Sequence, residues 1–340
     1  MKAAADDDVS ESTIARAGGS LGQRVALAAS VWVGVSLALA FATFWMQATH
    51  VGGLRSFDLP LLVPAIGFAV MSFTLRILRW HFFLGSAGAH PSLLTSARTQ
   101  LIGFSLTMTP GKVGEVYKCY LIERRTGVPT ARTVPIVLVE KLMDAIAFSG
   151  LALLAASIAP QLADSVGTAA RTLLIAGALC VTLAVLLQRA RPDEVASLLL
   201  RFIGRARIGR RFASLAALAV AGSAEVLKPS ILARNAMLSL AARTCDGLSL
   251  AWVAWALGID LTAVAAIFAF NSAGTLGGLS MLPGGIGVVE ASMSVLLGTF
   301  GAAPAAALAG TLAVRLLTFW LWVALGLGLL VRSELRTCED

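Results

Sequence analysis

Nine charged residues lie within long apolar stretches of this chain: Arg76, Arg79, Glu140, Lys141, Asp144, Arg243, Asp246, Glu290 and Arg315. At mid-membrane an Asp, Lys or Arg costs about 2.5–3.5 kcal/mol on insertion scales, so such residues pair internally or face a cavity. Glu140 and Asp144 are four apart and share a helix face, while Arg243 and Asp246 are three apart and can bridge locally. Arg76 and Arg79 stand near the end of an apolar run, where snorkelling to the interface is a sufficient account. The set as a whole suits two uses, locks between helices or a charged cavity that holds a ligand.

A second kind of chemistry comes from two glycine-rich turns, Pro110-Gly111-Lys112-Val113-Gly114-Glu115 and Pro283-Gly284-Gly285-Ile286-Gly287-Val288-Val289-Glu290. Both read Pro-Gly-x-x-Gly followed by an acid. Proline is tolerated in a first helical turn, and glycine lets backbone approach a ligand closely. A helix opening at Pro110 or Pro283 would direct its free N–H groups and positive dipole end at an anion such as phosphate. Lys112 adds a full charge there. Packing offers the other account, since small residues also let helices approach closely. Glu140 follows Pro110 by 30 residues and Arg315 follows Pro283 by 32, an acid in one half and a base in the other.

Composition limits what these residues can serve. The chain has 340 residues, 57% hydrophobic and only 14% charged, where a soluble domain is about a quarter charged. An integral membrane protein is implied. The net charge of +8 sits mainly in short loops between apolar runs, which is a topology signal and argues against nucleic acid. Cys119, Cys180, Cys245 and Cys338 are scattered, as are His50, His81 and His90, so neither disulfide frame nor metal site is indicated and no cofactor is expected.

Residues 1–22 read as a disordered tail. Apolar spans are expected at about 25–46, 59–83, 133–158, 168–188, 231–257 and 305–331, with broken regions at 91–125 and 262–300 and a tail at 332–340. The segment 189–211 carries seven arginines with apolar residues at helical spacing, as a surface helix touching anionic inner-leaflet lipids would. Counting only Lys and Arg puts this segment and both termini inside, with 159–167 and 258–261 outside. The region around Pro110 must then begin and end inside, and that around Pro283 begin and end outside. The expected fold is an all-α polytopic membrane protein with an inverted repeat, 23–158 and 159–331. Each half has three transmembrane helices plus one re-entrant hairpin, the plan of many secondary transporters. Two ordinary spans in place of each hairpin would preserve the same parity.

Three motifs in order, T-P-G-K-x-G-E at 109–115, V-E-K-x-x-D at 139–144 and P-G-G-I-G-x-x-E at 283–290, make the chain resemble the flippase-like transmembrane family. That family is named for the membrane region of bacterial lysylphosphatidylglycerol synthase/flippase proteins, and the resemblance covers about 25–331. It implies movement of a lipid with a charged or phosphate head group between leaflets of a bacterial inner membrane. On a lipid-carrier reading, the turns (Pro110, Gly111, Lys112, Gly114, Glu115, Pro283, Gly284, Gly285, Gly287, Glu290) and the charges within spans meet that lipid. No soluble aminoacyl-transfer domain follows Val331, so lipid aminoacylation is not expected. Two alternatives stand beside this reading, an ion-coupled carrier of a small soluble anion and a non-catalytic membrane component of a lipid or glycan pathway. A homo-oligomer is compatible with all of them.

Overall fold

The structure is a computed structural model that describes residues 58–109, 114–159, 228–280 and 282–337. The expected N-terminal tail, the spans at 25–46 and 168–188, the basic segment 189–211 and the turn residues Pro110, Gly111 and Lys112 lie outside the described residues. Among the described residues every regular element is helical. They are α1 (Leu59–Ser86), α2 (Leu93–Ser105), α3 (Tyr117–Thr126), α4 (Thr130–Ile158), α5 (Pro229–Ala256), α6 (Ala263–Leu279), α7 (Val288–Thr299), α8 (Pro304–Arg315) and α9 (Leu321–Thr337). Short 3-10 turns occupy Leu106–Met108 and Pro283–Gly285, and a π-helical turn, Leu316–Trp320, joins α8 to α9. Two helical stretches here are long and apolar enough to cross a membrane, Leu59–Ser86 and Pro304–Ser333.

The expected spans at 59–83, 133–158 and 231–257 correspond to α1, α4 and α5, whose ends differ from them by up to three residues. The last span corresponds to α8, the π turn and α9. Helix α9 continues to Thr337, into the expected tail.

Local chemistry explains where these helices stop. α1 runs into Gly88 at φ 81°, and the Ala89 N–H returns to the Leu84 carbonyl at 2.9 Å. α5 ends the same way, with Gly258 at φ 70° and Ile259 N–H on the Ala254 carbonyl at 2.9 Å. Glycine tolerates this left-handed closure, which satisfies carbonyls the helix would otherwise leave open. The next helix is capped alike in both places. The Ser92 hydroxyl accepts the Thr95 N–H and the Thr262 hydroxyl accepts the Ala265 N–H, each at 3.2 Å.

α1 and α5 form the most extensive helix pair. The Asp58 N–H donates to the Ala256 carbonyl at 3.0 Å and the Ser249 hydroxyl to the Ala65 carbonyl at 2.9 Å. The start of each helix therefore lies against the end of the other, and the pair is antiparallel. α4 and α6 pack beside it, α7 and α8 follow α6, and α9 lies along α2. α2 and α3 make a hairpin whose two ends, Ser92 and Arg125–Thr126, border one cavity.

Small residues set the close crossings. A Cβ on Gly326 would stand 2.1 Å from the Leu101 carbonyl oxygen, so α9 lies on the backbone of α2. Gly326→Ala is expected to cost about 1–3 kcal/mol through overpacking. Gly328→Ala, with nothing within 4 Å of its Cβ, is expected to cost nothing measurable. Thermal unfolding of the two variants in detergent reads the difference.

Candidate functional site

The charges within the spans are brought together by α1, α3, α4 and α5. Arg76 on α1 donates through Nη2 to Asp246 Oδ2 at 2.5 Å and to the Ser72 hydroxyl at 3.3 Å. Arg243 on α5 reaches the same Asp246 oxygen at 3.2 Å and Asp144 Oδ1 on α4 at 2.9 Å. Arg79 donates to Asp144 at 2.7 Å, to Glu140 at 3.1 Å and to the Ser239 hydroxyl at 2.6 Å. Lys118 on α3 closes the series, with Nζ on the second oxygen of Glu140 and on Gln100 Oε1 at 3.0 Å. The order is Arg76, Asp246, Arg243, Asp144, Arg79, Glu140, Lys118, cation and carboxylate in strict alternation.

Burial decides how much this order matters. Asp246, Glu140 and Lys118 are each 1% exposed, and Arg79 is 2% exposed. Such pairs survive desolvation only with good geometry and additional hydrogen bonds. Both are present here. Carboxylates bridge two cations each, and aromatic rings lie beside cations, with the Arg243 guanidinium 4.0 Å from the centre of the Phe148 ring and the Lys118 ammonium 4.0 Å from that of Trp80. Arg76 and Arg79 therefore do not snorkel to an interface. They point into the bundle because their carboxylate partners are there.

Each glycine-rich turn has its own ion pair. Glu115 meets Lys141 Nζ at 2.5 Å and accepts the Thr107 hydroxyl at 3.1 Å. Glu290 accepts Arg315 Nε at 2.7 Å, while Arg315 Nη2 donates to the Gly284 carbonyl at 3.1 Å. The acid that ends each turn motif thus pairs with a base on the long helix after it. Lys141 and Arg315 are the bases of these two pairs, while Glu140 belongs to the buried series.

The turns themselves meet. The 3-10 segments Leu106–Met108 and Pro283–Gly285 pack together. Gly284, at φ 61°, is so close to Met108 that a Cβ would lie 3.0 Å from the sulfur. In the first turn the Thr109 hydroxyl accepts the Gly114 N–H at 2.8 Å, and Gly114 has no room for a Cβ beside Leu106. One detail differs from the sequence expectation. α7 does not open at Pro283; it begins at Val288, and the Glu290 carboxylate accepts the Gly287 N–H at 2.7 Å. A side-chain anion already occupies that helix end, because an acid three residues into a helix folds back to cap it. α3 likewise begins at Tyr117, after Glu115.

Sequence reasoning did not single out Lys118, Gln100, Thr107, Ser239, Phe104 or Met108. Lys118 was legible only as one of several basic residues in a broken region. Its place three residues after Glu115 is the one signal that could have marked it as inward-facing.

A helical bundle with apolar outer faces and an alternating series of buried charges is an α-helical membrane protein with a polar interior. Its membership is definite: the chain belongs to the family of the lysylphosphatidylglycerol synthase TM region, whose family model matches residues 24–326. No curated protein matches it.

Proposed function

We propose that this chain carries a lipid with a charged or phosphate-bearing head group between the leaflets of a bacterial inner membrane. The observation that carries this reading is the buried series of charges, contributed by four helices and lying near the middle of α4 and α5. Locks between two helices would need one pair each. A series shared among four helices supplies a polar interior suited to a head group, with acyl or isoprenoid tails left outside. The head group meets this interior beside the converging turns, between Arg315–Glu290 on one side and Lys141–Glu115 on the other.

The inverted repeat is part of the proposal, and several features support it. α1 and α5 have equal lengths, begin and end 170 residues apart, and close through the same glycine turn. Arg76 and Asp246, at equivalent positions by that offset, are each other's partner. Contact between equivalent residues is what a two-fold axis between the halves would produce. α2 is 13 residues long, about 20 Å at 1.5 Å per residue, too short to span about 30 Å of hydrocarbon. Together with α3 it returns to its starting side, as a re-entrant hairpin does. Arg125 and Arg234 border the cavities at that side, whereas Asp58 lies beside Ala256 at the other. The basic side is then cytoplasmic by the positive-inside rule.

Reconstitution into vesicles with fluorescent phospholipids tests the reading. Wild-type protein is expected to accelerate leaflet exchange. Glu115→Gln and Arg315→Gln are expected to remove most of that acceleration with thermal unfolding near normal, because Lys141 and Glu290 stand at the more exposed rim, 37% and 16% by side chain. Unfolding of both variants would favour helix locks instead. Uptake of soluble phosphate by the vesicles without lipid exchange would favour the small-anion carrier.

A further inference from the structure

The alternating series holds four cations, Arg76, Arg243, Arg79 and Lys118, against three carboxylates, Asp246, Asp144 and Glu140. Among the described residues the two turn pairs, Glu115–Lys141 and Glu290–Arg315, are each neutral. The series therefore carries one positive charge in excess inside an apolar bundle. Its two ends differ. Lys118 is closed off by Glu140, Gln100 and the Trp80 ring. Arg79 Nε, within the series, is buried without a protein partner, and so are Arg76 Nε, Arg243 Nε and Asp246 Oδ1, gathered at the other end. Arg76 and Arg243 are each 6% exposed and Asp246 1%. Buried donors left unmet at a cationic end are complementary to an anionic oxygen, and the single unmet acceptor beside them to a hydroxyl.

We propose that Arg76 and Arg243 form a charge-selective subsite for a phosphodiester head group with one net negative charge and no amine, its hydroxyl turned to Asp246. This rests on the transport reading for its setting, but concerns which head group the interior accepts. A zwitterionic head group leaves the excess uncancelled, because its own ammonium offsets its phosphate. A lysyl-bearing head group, with one net positive charge, adds to the excess instead of cancelling it. Charge in a dry site is discriminated strongly, because water is not there to screen it.

Native mass spectrometry of the full chain in neutral detergent measures this directly, with phosphatidylglycerol, phosphatidylethanolamine and lysyl-phosphatidylglycerol in competition. Phosphatidylglycerol is expected to be retained roughly tenfold over either competitor. Arg76→Gln, which removes the excess, is expected to bring that ratio close to one, and Arg76→Lys to keep it. Should Arg76→Gln fail to fold, Ser239→Asp supplies an internal counter-ion beside Arg79 and is expected to abolish the preference equally. Displacement of phosphatidylglycerol by free glycerol phosphate would confirm the subsite and move its source from lipid to a soluble anion. Equal retention of the three lipids, or a preference unchanged in Arg76→Gln and Ser239→Asp, overturns the proposal. The transport reading fails separately. Vesicles that exchange all three lipids equally, and lose exchange with Gly284→Val, would leave transport standing and charge selection overturned. Selective binding without leaflet exchange would do the reverse.

Discussion

Glu140→Ala is expected to lower the unfolding free energy by about 3–5 kcal/mol, the range for breaking a buried pair and stranding its partner. Two cations lose their counter-ion at once, Lys118 Nζ and Arg79 Nη2. Arg79 keeps Asp144 and Ser239, so most of the loss falls on Lys118, which is fully enclosed beneath Trp80. The double variant Glu140→Leu with Lys118→Met removes both members and replaces them with apolar volume. It is expected to recover most of the lost stability, as buried pairs exchanged for well-packed hydrophobes commonly do. Chemical unfolding of Glu140→Leu, Lys118→Met and the double variant in detergent closes the cycle. A double variant as unstable as Glu140→Ala alone would show that the ion pair carries specific structural information beyond its charge.

How much of this was legible in the sequence follows from where each partner lies along the chain. The helices were legible because about 20 apolar residues in a row have few alternatives. The charges within them were legible for the same reason, since Arg76, Asp144 and Asp246 interrupt hydropathy. Local spacing gave the Arg243–Asp246 bridge, three residues apart, and the shared face of Glu140 and Asp144, both of which hold Arg79. The pairing of Arg76 with a carboxylate 170 residues away was not legible, because spacing says nothing of tertiary neighbours. That gap produced the snorkelling expectation for Arg76 and Arg79.

The turns show the opposite failure. Their repetition was plain, yet the helix starts were misplaced. Proline at the head of an apolar stretch reads as the first helical turn, whereas Pro283 opens a 3-10 segment and three glycines at positive φ delay α7 to Val288. Only then does Glu290 fall three residues into the helix, where its carboxylate satisfies the Gly287 N–H. The N-terminal end of α7 is thus already met by an acid.

Gly284→Val is expected to have the largest effect on function. Gly284 lies at φ 61°, where a β-branched residue is a genuine outlier, and the strain alone costs of order 1–3 kcal/mol. Space is lacking as well. The new Cβ would stand 2.7 Å from Phe319 Cζ and 3.0 Å from the Met108 sulfur. Phe319 cannot yield freely, because it packs edge-on to Phe104 at 5.6 Å and carries Arg315 4.2 Å from its ring centre. Moving either ring shifts Arg315, which also holds the Gly284 carbonyl and Glu290. One substitution is thus expected to separate the two turns and displace the Arg315–Glu290 pair, which in the proposed function borders the head group. Leaflet exchange is expected to fall about tenfold or more, since sites tolerate only about 0.5 Å of displacement. Gly278→Ala is the matched control. It lies in α6 close by in sequence, has nothing within 4 Å of its Cβ, and is expected to exchange lipid at the wild-type rate. Wild-type exchange in Gly284→Val, with an unchanged melting temperature, would show that the meeting of the turns serves neither packing nor transport.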